Sequence, residues 1–175
     1  MWKNLVVILT CWPAILFAAE YPSLFKVEVG KTFSHPNALQ YKDTNRPITQ
    51  FTAPNYGSSA SLFPEYTISY LNKGNKVAIV TAEKATSSYK ECSTLLEEAA
   101  KLAETVFPDY KSTPKEHSQL KSGNEYSSEG KDIYYVLRCQ GGYGPFTYLH
   151  FQMRSISQDY ELKAAWEDFF KSRNR

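Results

Sequence analysis

Apolar residues alternate with polar ones along several stretches of the chain and recur at helical spacing along two others. Tyr66, Ile68 and Tyr70 alternate with Thr67 and Ser69, and a second β-rich run, Lys76–Ala82, contains Val77, Ile79 and Val80. Between the runs stands Asn72-Lys73-Gly74-Asn75, whose residues tolerate the backbone angles of a tight turn. These features predict a β-hairpin. Upstream, Phe25, Val27 and Val29 alternate and predict a strand ending at Gly30. From there to Ser61 the prolines at 36, 47 and 54 and Gly57 break any sustained period, which predicts loops with one or two short strands.

The first helical pattern begins at Tyr89. Cys92, Leu95, Leu96, Ala99, Leu102, Ala103 and Val106 fall on one face at the 3.6-residue period. Ser88 followed three residues later by Glu91 has the spacing of a capping box, and Pro108 closes the other end. Asp109–Gly130 is polar and rich in Ser, Lys, Glu and Gly, which predicts a long connection with a short extended piece near Glu116–Leu120 and mobility around Ser122–Gly130.

The clearest β signal follows. Asp132–Gln140 places Ile133, Tyr135, Leu137 and Cys139 on one side, and Phe146–Arg154 places Leu149, Phe151 and Met153 on one side. The glycine-rich Gly141–Pro145 joins strand to strand, so it predicts a hairpin turn and not a phosphate loop, which needs a following helix. The last helix begins near Ser157, with Asp159 and Glu161 in its first turn where the dipole favours negative charge. Leu162, Ala165, Trp166 and Phe169 line one face, Phe170 widens the stripe, and the spacing predicts that Trp166 and Phe169 belong to the core.

Two helices with one apolar stripe each need a surface to cover. The economical arrangement is an α+β domain over residues 20–175: an antiparallel sheet of two hairpins plus N-terminal strand or strands, packed with two main helices in the order β-ββ-α-ββ-α. The segment from Val77 to Phe170, with its "LLEEAAKLAETVFPDY" helix and closing "AAWEDFFKS", resembles the PsbP-like family of exported or organellar α/β/α sandwiches. The resemblance concerns element order and carries no site residues. It implies a non-enzymatic accessory or partner-binding role, as fold analogy.

The first nineteen residues set the compartment. Lys3 precedes an apolar run, Leu5–Phe17, and Ala18–Ala19 offer small residues at a cleavage point, the layout of a secretory signal peptide cut after Ala18 or Ala19. The run is short for a membrane span and contains Pro13. Cys11 lies inside the run, preceded by a poor match to a lipidation signal, so it leaves with the leader. Removing Lys3 lowers the formal charge of +2 to about +1, too little field to attract nucleic acid or an anionic membrane. Cys92 and Cys139 remain. Both fall on the apolar side of their elements, and an oxidising compartment favours their pairing.

Candidate chemistry is sparse. His35, His117 and His150 are isolated, no metal-binding spacing of His or Cys occurs, and no nucleophile or phosphate-loop motif is present, so the reading assigns no catalytic residue, metal ligand or cofactor. The abundance of tyrosine (13) and phenylalanine (10) suits half-buried strands and binding surfaces alike. In the second hairpin, Tyr134, Arg138, Tyr148, His150, Gln152 and Arg154 fall on the side opposite Cys139, a composition that suits a recognition surface. A terminal helix lying across that side would remove it. The expectation is an exported, non-catalytic, periplasmic or secreted protein that recognises a protein partner as an inhibitor, immunity factor or assembly accessory does, without nucleic acid or membrane. A carrier of an apolar molecule or glycan is the alternative. A hydrolase assembled around His35 or His150 comes third.

Overall fold

The computed structural model describes residues 24–25, 27–33, 46–114, 123–127, 131–141 and 147–173. The leader, His35, His117, Glu116–Leu120 and the turn residues 142–146 lie outside them. The fold is α+β. Its elements are β1 (Ile48–Pro54), β2 (Glu65–Leu71), β3 (Val77–Thr86), α1 (Tyr89–Val106), β4 (Lys111–Pro114), β5 (Gly123–Ser127), β6 (Ile133–Gly141), β7 (Thr147–Ser155) and α2 (Ile156–Arg173). The strands form one seven-stranded sheet in the order β1-β2-β3-β7-β6-β5-β4, antiparallel throughout.

Both expected hairpins form. In the first, Asn75 at φ 51° and Gly74 at φ 82° supply the left-handed residues of the turn between β2 and β3. In the second, β6 and β7 pair from Ile133↔Ser155 to Gly141↔Thr147. A further hairpin, β4–β5, occupies part of the predicted connection and joins the sheet through β5 and β6. The predicted strand at Phe25–Val29 does not form. Leu24 and Phe25 lie in one turn and Val29 and Gly30 in another, with Gly30 at φ 83°, so the described residues of the segment offer no extended run to pair. The chain meets the sheet just beyond, where the Gly30 amide donates to the Val77 carbonyl at 2.8 Å and Thr32 bridges Lys76. Phe25 serves as a plug, with its ring centroid 5.2 Å from Phe151 and 5.0 Å from Tyr66.

One face of the sheet carries Ile68, Val80, Ala82, Tyr135, Leu137, Cys139, Leu149, Phe151 and Met153, all buried. Helix α1 packs over β6, β7 and β3 on this face and buries Cys92, Leu96, Ala99 and Ala103. The Ser88 hydroxyl accepts the Glu91 amide at 3.2 Å. The Glu91 carboxylate reaches back one residue farther than a standard box, accepting the Ser87 amide at 2.7 Å and its hydroxyl at 2.6 Å. Cys92 and Cys139 form a disulfide, with Cα atoms 5.9 Å apart, that ties α1 to β6. A disulfide of this kind fits an oxidising compartment. Among the described residues, no helix is long and apolar enough to cross a membrane.

Helix α2 sits on the other face and is fixed chiefly at its start. The Asp132 carboxylate accepts the Ser157 amide at 2.8 Å, the Ser157 hydroxyl at 2.6 Å and the Ser155 hydroxyl, which satisfies donors at the helix N-terminus. Its only buried residue is Gln158. The expected burial of Trp166 and Phe169 is only partial: both are half-buried, and they cluster with Phe170, which is 57% exposed.

Candidate functional site

Alternation in β3, β6 and β7 sends a second set of side chains to the face opposite the core. The register stacks them in cross-strand rows. Ile79, Arg154 and Tyr134 form one row; Thr81, Gln152 and Val136 the next; Glu83, His150 and Arg138 the third; Ala85, Tyr148 and Gln140 the fourth. All six residues expected to form a recognition surface (Tyr134, Arg138, Tyr148, His150, Gln152 and Arg154) therefore share one face in neighbouring rows. His150 is buried, and the other five are half-buried.

Helix α2 takes one corner. Asp159 in its first turn accepts the Tyr134 hydroxyl at 2.8 Å and lies 3.5 Å from an Arg154 guanidinium nitrogen. Burial, followed by the hydrogen bond to Asp159, pushes the Tyr134 phenol above its ordinary pKa. The remaining rows lie beyond this clamp, so Arg138, Tyr148 and Gln152 form the accessible part of the patch. Gln140 and Glu83 join them.

Glu83 is the residue that sequence reading missed. It enters from β3 and is 67 positions away from His150, a pairing that no local pattern announces. Its presence on the non-core side of β3 was visible as alternation against Val80 and Ala82. Its Oε1 lies 2.8 Å from His150 Nδ1 and accepts the Gln140 amide at 2.9 Å. An ionised carboxylate can only accept, so Nδ1 carries the proton. The 3.3 Å approach of Gln140 Nε2 to Nδ1 then brings two donors together on one acceptor.

Burial holds the His150 pKa below its ordinary value. The Glu83 hydrogen bond opposes this, and the nearby charge of Arg138 reinforces it. The imidazole is accordingly neutral near pH 7, and Nε2 presents a bare lone pair. That atom is buried without a hydrogen-bond partner among the described residues, as is Arg154 Nε. Buried polar atoms are bonded in the great majority of cases, so two on one face are a notable concentration.

Glu83 and His150 form the carboxylate–imidazole half of an acid–base pair, but Nε2 meets no hydroxyl or thiol among the described residues. The described residues also contain no group of three His, Cys, Asp or Glu able to hold a metal ion. What the arrangement offers is hydrogen-bond recognition: a guanidinium, two amides, a phenol and a covered imidazole acceptor. No known family model, curated protein or solved structure matches the chain.

Proposed function

We propose that the protein is exported and recognises another protein through the polar face of its sheet, acting as an inhibitor, immunity factor or assembly accessory. The observation that supports this best is the unmet hydrogen-bonding capacity of the Glu83–His150–Arg138 row on the face that α1 leaves open. A partner that displaces the covering side chains and brings an N–H or O–H to Nε2 would complete a bond the free protein lacks. Leaving such an atom unsatisfied costs about 1–3 kcal/mol, and a partner recovers that on binding. Arginine and tyrosine beside it are the residue types that most often anchor interfaces. The leader and the disulfide support export, and the resemblance of element order to the PsbP-like proteins supports the accessory role by analogy.

The test is affinity capture from the native exported fraction with the chain tagged after Arg175. A near-stoichiometric protein should be retained by the wild type and by Lys101→Glu on exposed α1, and lost with Arg138→Glu plus Tyr148→Ser. Equal retention by all three proteins would remove this face from consideration.

A further inference from the structure

Helix α2 presents a second surface, on the side turned away from the sheet. Its inward residues are Gln158, which is buried, and Leu162, Ala165, Trp166 and Phe169, which are half-buried. On the other side Ile156, Tyr160, Lys163, Glu167 and Phe170 follow one another at spacings of four, three, four and three residues, and all five are exposed. That is the spacing of a seam between two supercoiled helices. Ile156, Tyr160 and Phe170 are 48%, 71% and 57% exposed, and they are three of the five large hydrophobic residues that stand exposed among the described residues. Hydrophobics exposed singly are ordinary, whereas three on one stripe of one helix mark an interaction surface.

The order of residues along the seam selects the occupant. Tyr160 and Phe170 stand on either side of a central pair of opposite charge, Lys163 and Glu167. Neither charge has an ion-pair partner among the described residues. Turned end over end about Ala165, the seam matches itself: Tyr160 meets the second copy's Phe170, and Lys163 meets the second copy's Glu167. Two-fold symmetry makes each contact twice. A parallel pairing would set Lys163 against Lys163 and Glu167 against Glu167, which like charge opposes. The antiparallel one also brings the acidic first turn beside the other helix's basic last turn, where Lys171 and Arg173 stand. Phe170 stacks on Trp166 at 5.6 Å, and Trp166 meets Phe169 edge-on at 5.5 Å, so the second copy's Tyr160 lands on rings already assembled.

We infer that the protein self-associates into a two-fold dimer by antiparallel pairing of α2 across this seam. The polar centre fixes the register, because a slipped pairing leaves each charge facing an apolar side chain or its own kind. One helix from each copy makes the contact, over about 21 Å of its length. That lies at the small end of interface size, so the dimer exchanges readily and dissociates with a Kd on the order of tens of micromolar. Arg138, Tyr148 and Gln152 of the recognition face take no part in it.

Sedimentation equilibrium of the purified, disulfide-bonded protein from about 1 to 300 µM reads the association directly. Monomer at the low end and dimer at the high end are expected. Phe170→Asp and Tyr160→Lys change exposed positions and should fold normally, which urea midpoints at about 1 µM check on the monomer. Each should weaken association roughly tenfold or more. Lys163→Glu and Glu167→Lys should each weaken it several-fold, because each sets like charges together. The double swap should restore it, and the two single variants mixed should prefer one another to themselves. Arg138→Glu on the recognition face should associate as the wild type does, so failure here and failure of the protein-binding reading are distinguishable. Monomer throughout the range would overturn the inference and leave the stripe to a different protein. Association that survives Phe170→Asp, or that survives both single charge reversals, would overturn it too, since the contact would then lie elsewhere.

Discussion

The two helices are both eighteen residues long, yet they are attached to the same sheet by different physics. Helix α1 buries Cys92, Leu96, Ala99 and Ala103, and a disulfide fixes its first turn to β6. Helix α2 buries one residue, a glutamine, and is held by polar contacts. Asp132 clamps its start, Asp159 bonds Tyr134 and Arg154, and Glu161 meets Lys76 at 3.3 Å. Apolar burial is non-directional and strong in sum, whereas partly exposed polar contacts are individually small. The face under α1 is therefore the stability element. The face that α2 only partly occupies is free to keep polar atoms unmet, and the candidate recognition residues are found there.

The largest way to break this contrast is to cut the covalent tie. Replacing Cys92 and Cys139 with alanine should cost about 4 kcal/mol by the chain-entropy relation for a bridge spanning 47 positions. The urea midpoint should fall accordingly, and the oxidised protein should gain two hydrogens in intact mass on reduction. An unchanged midpoint would mean that packing alone holds α1. A smaller change addresses the other helix. Asp132→Ala removes the clamp on α2 and should cost about 1 kcal/mol, the usual worth of a helix N-cap. Amide exchange should quicken through α2 while α1 keeps its protection.

Acid should imitate that substitution. Burial raises the Asp132 pKa, but the bonds from Ser155 and Ser157 outweigh it and hold the group below its ordinary 3.8. A depressed carboxyl contributes fully above the unfolded value and loses that contribution as pH falls through the folded one. The α2 clamp should therefore release below about pH 4, and Asp132→Ala should lack that step.

The difference between the helices was only half legible in the sequence. The α1 stripe, its Ser88 cap, its end at Pro108 and the partner of Cys92 all follow from two local periods and a compartment. The start of α2 near Ser157 also follows, but its shallow packing does not. Leu162, Ala165, Trp166 and Phe169 form as good a stripe as that of α1, and only the sheet beneath decides how much of it is covered. Under α2 that sheet presents Arg154 and Tyr134 beside the single aliphatic Ile79 of their row, and the stripe stays half-exposed. Pairing between distant strands was equally hidden. The β3–β7 register brings Glu83 to His150, and nothing in either strand names the other. The β4–β5 hairpin escaped because its segments, Lys-Ser-Thr-Pro and Gly-Asn-Glu-Tyr-Ser, hold one strong β-former each, Thr113 and Tyr126, too few to make an alternating pattern; it extends the sheet through backbone pairing to β6. At Phe25–Val29 the error ran the other way, since three alternating apolar residues are too few to distinguish a strand from a buried turn.

The smallest expected effect tests the polar face itself. His150 faces Glu83 from β3, Arg138 and Gln140 from β6, and the charge of Arg154 on its own strand. Burial is the largest influence on it and lowers its pKa below the ordinary 6.5, so the folded protein resists protonation that the unfolded chain accepts. Stability should be level above that value, decline as pH falls from it toward the lower folded pKa, and then level again. Urea midpoints between about pH 7 and 5 should show the decline in the wild type. His150→Gln, which keeps a polar side chain but does not titrate, should flatten it. Glu83→Gln should steepen it, because the one neighbour that favours the imidazolium is gone. A rise in stability on acidification would mean that the Glu83 contact outweighs burial and that His150 is an ion-pair member. The same titration bears on recognition. Nε2 can accept a partner's donor only while it is unprotonated, so affinity for the captured protein should weaken as pH falls through the folded pKa of His150. Loss of affinity without loss of fold in that interval would separate recognition from stability on a face where both depend on one imidazole.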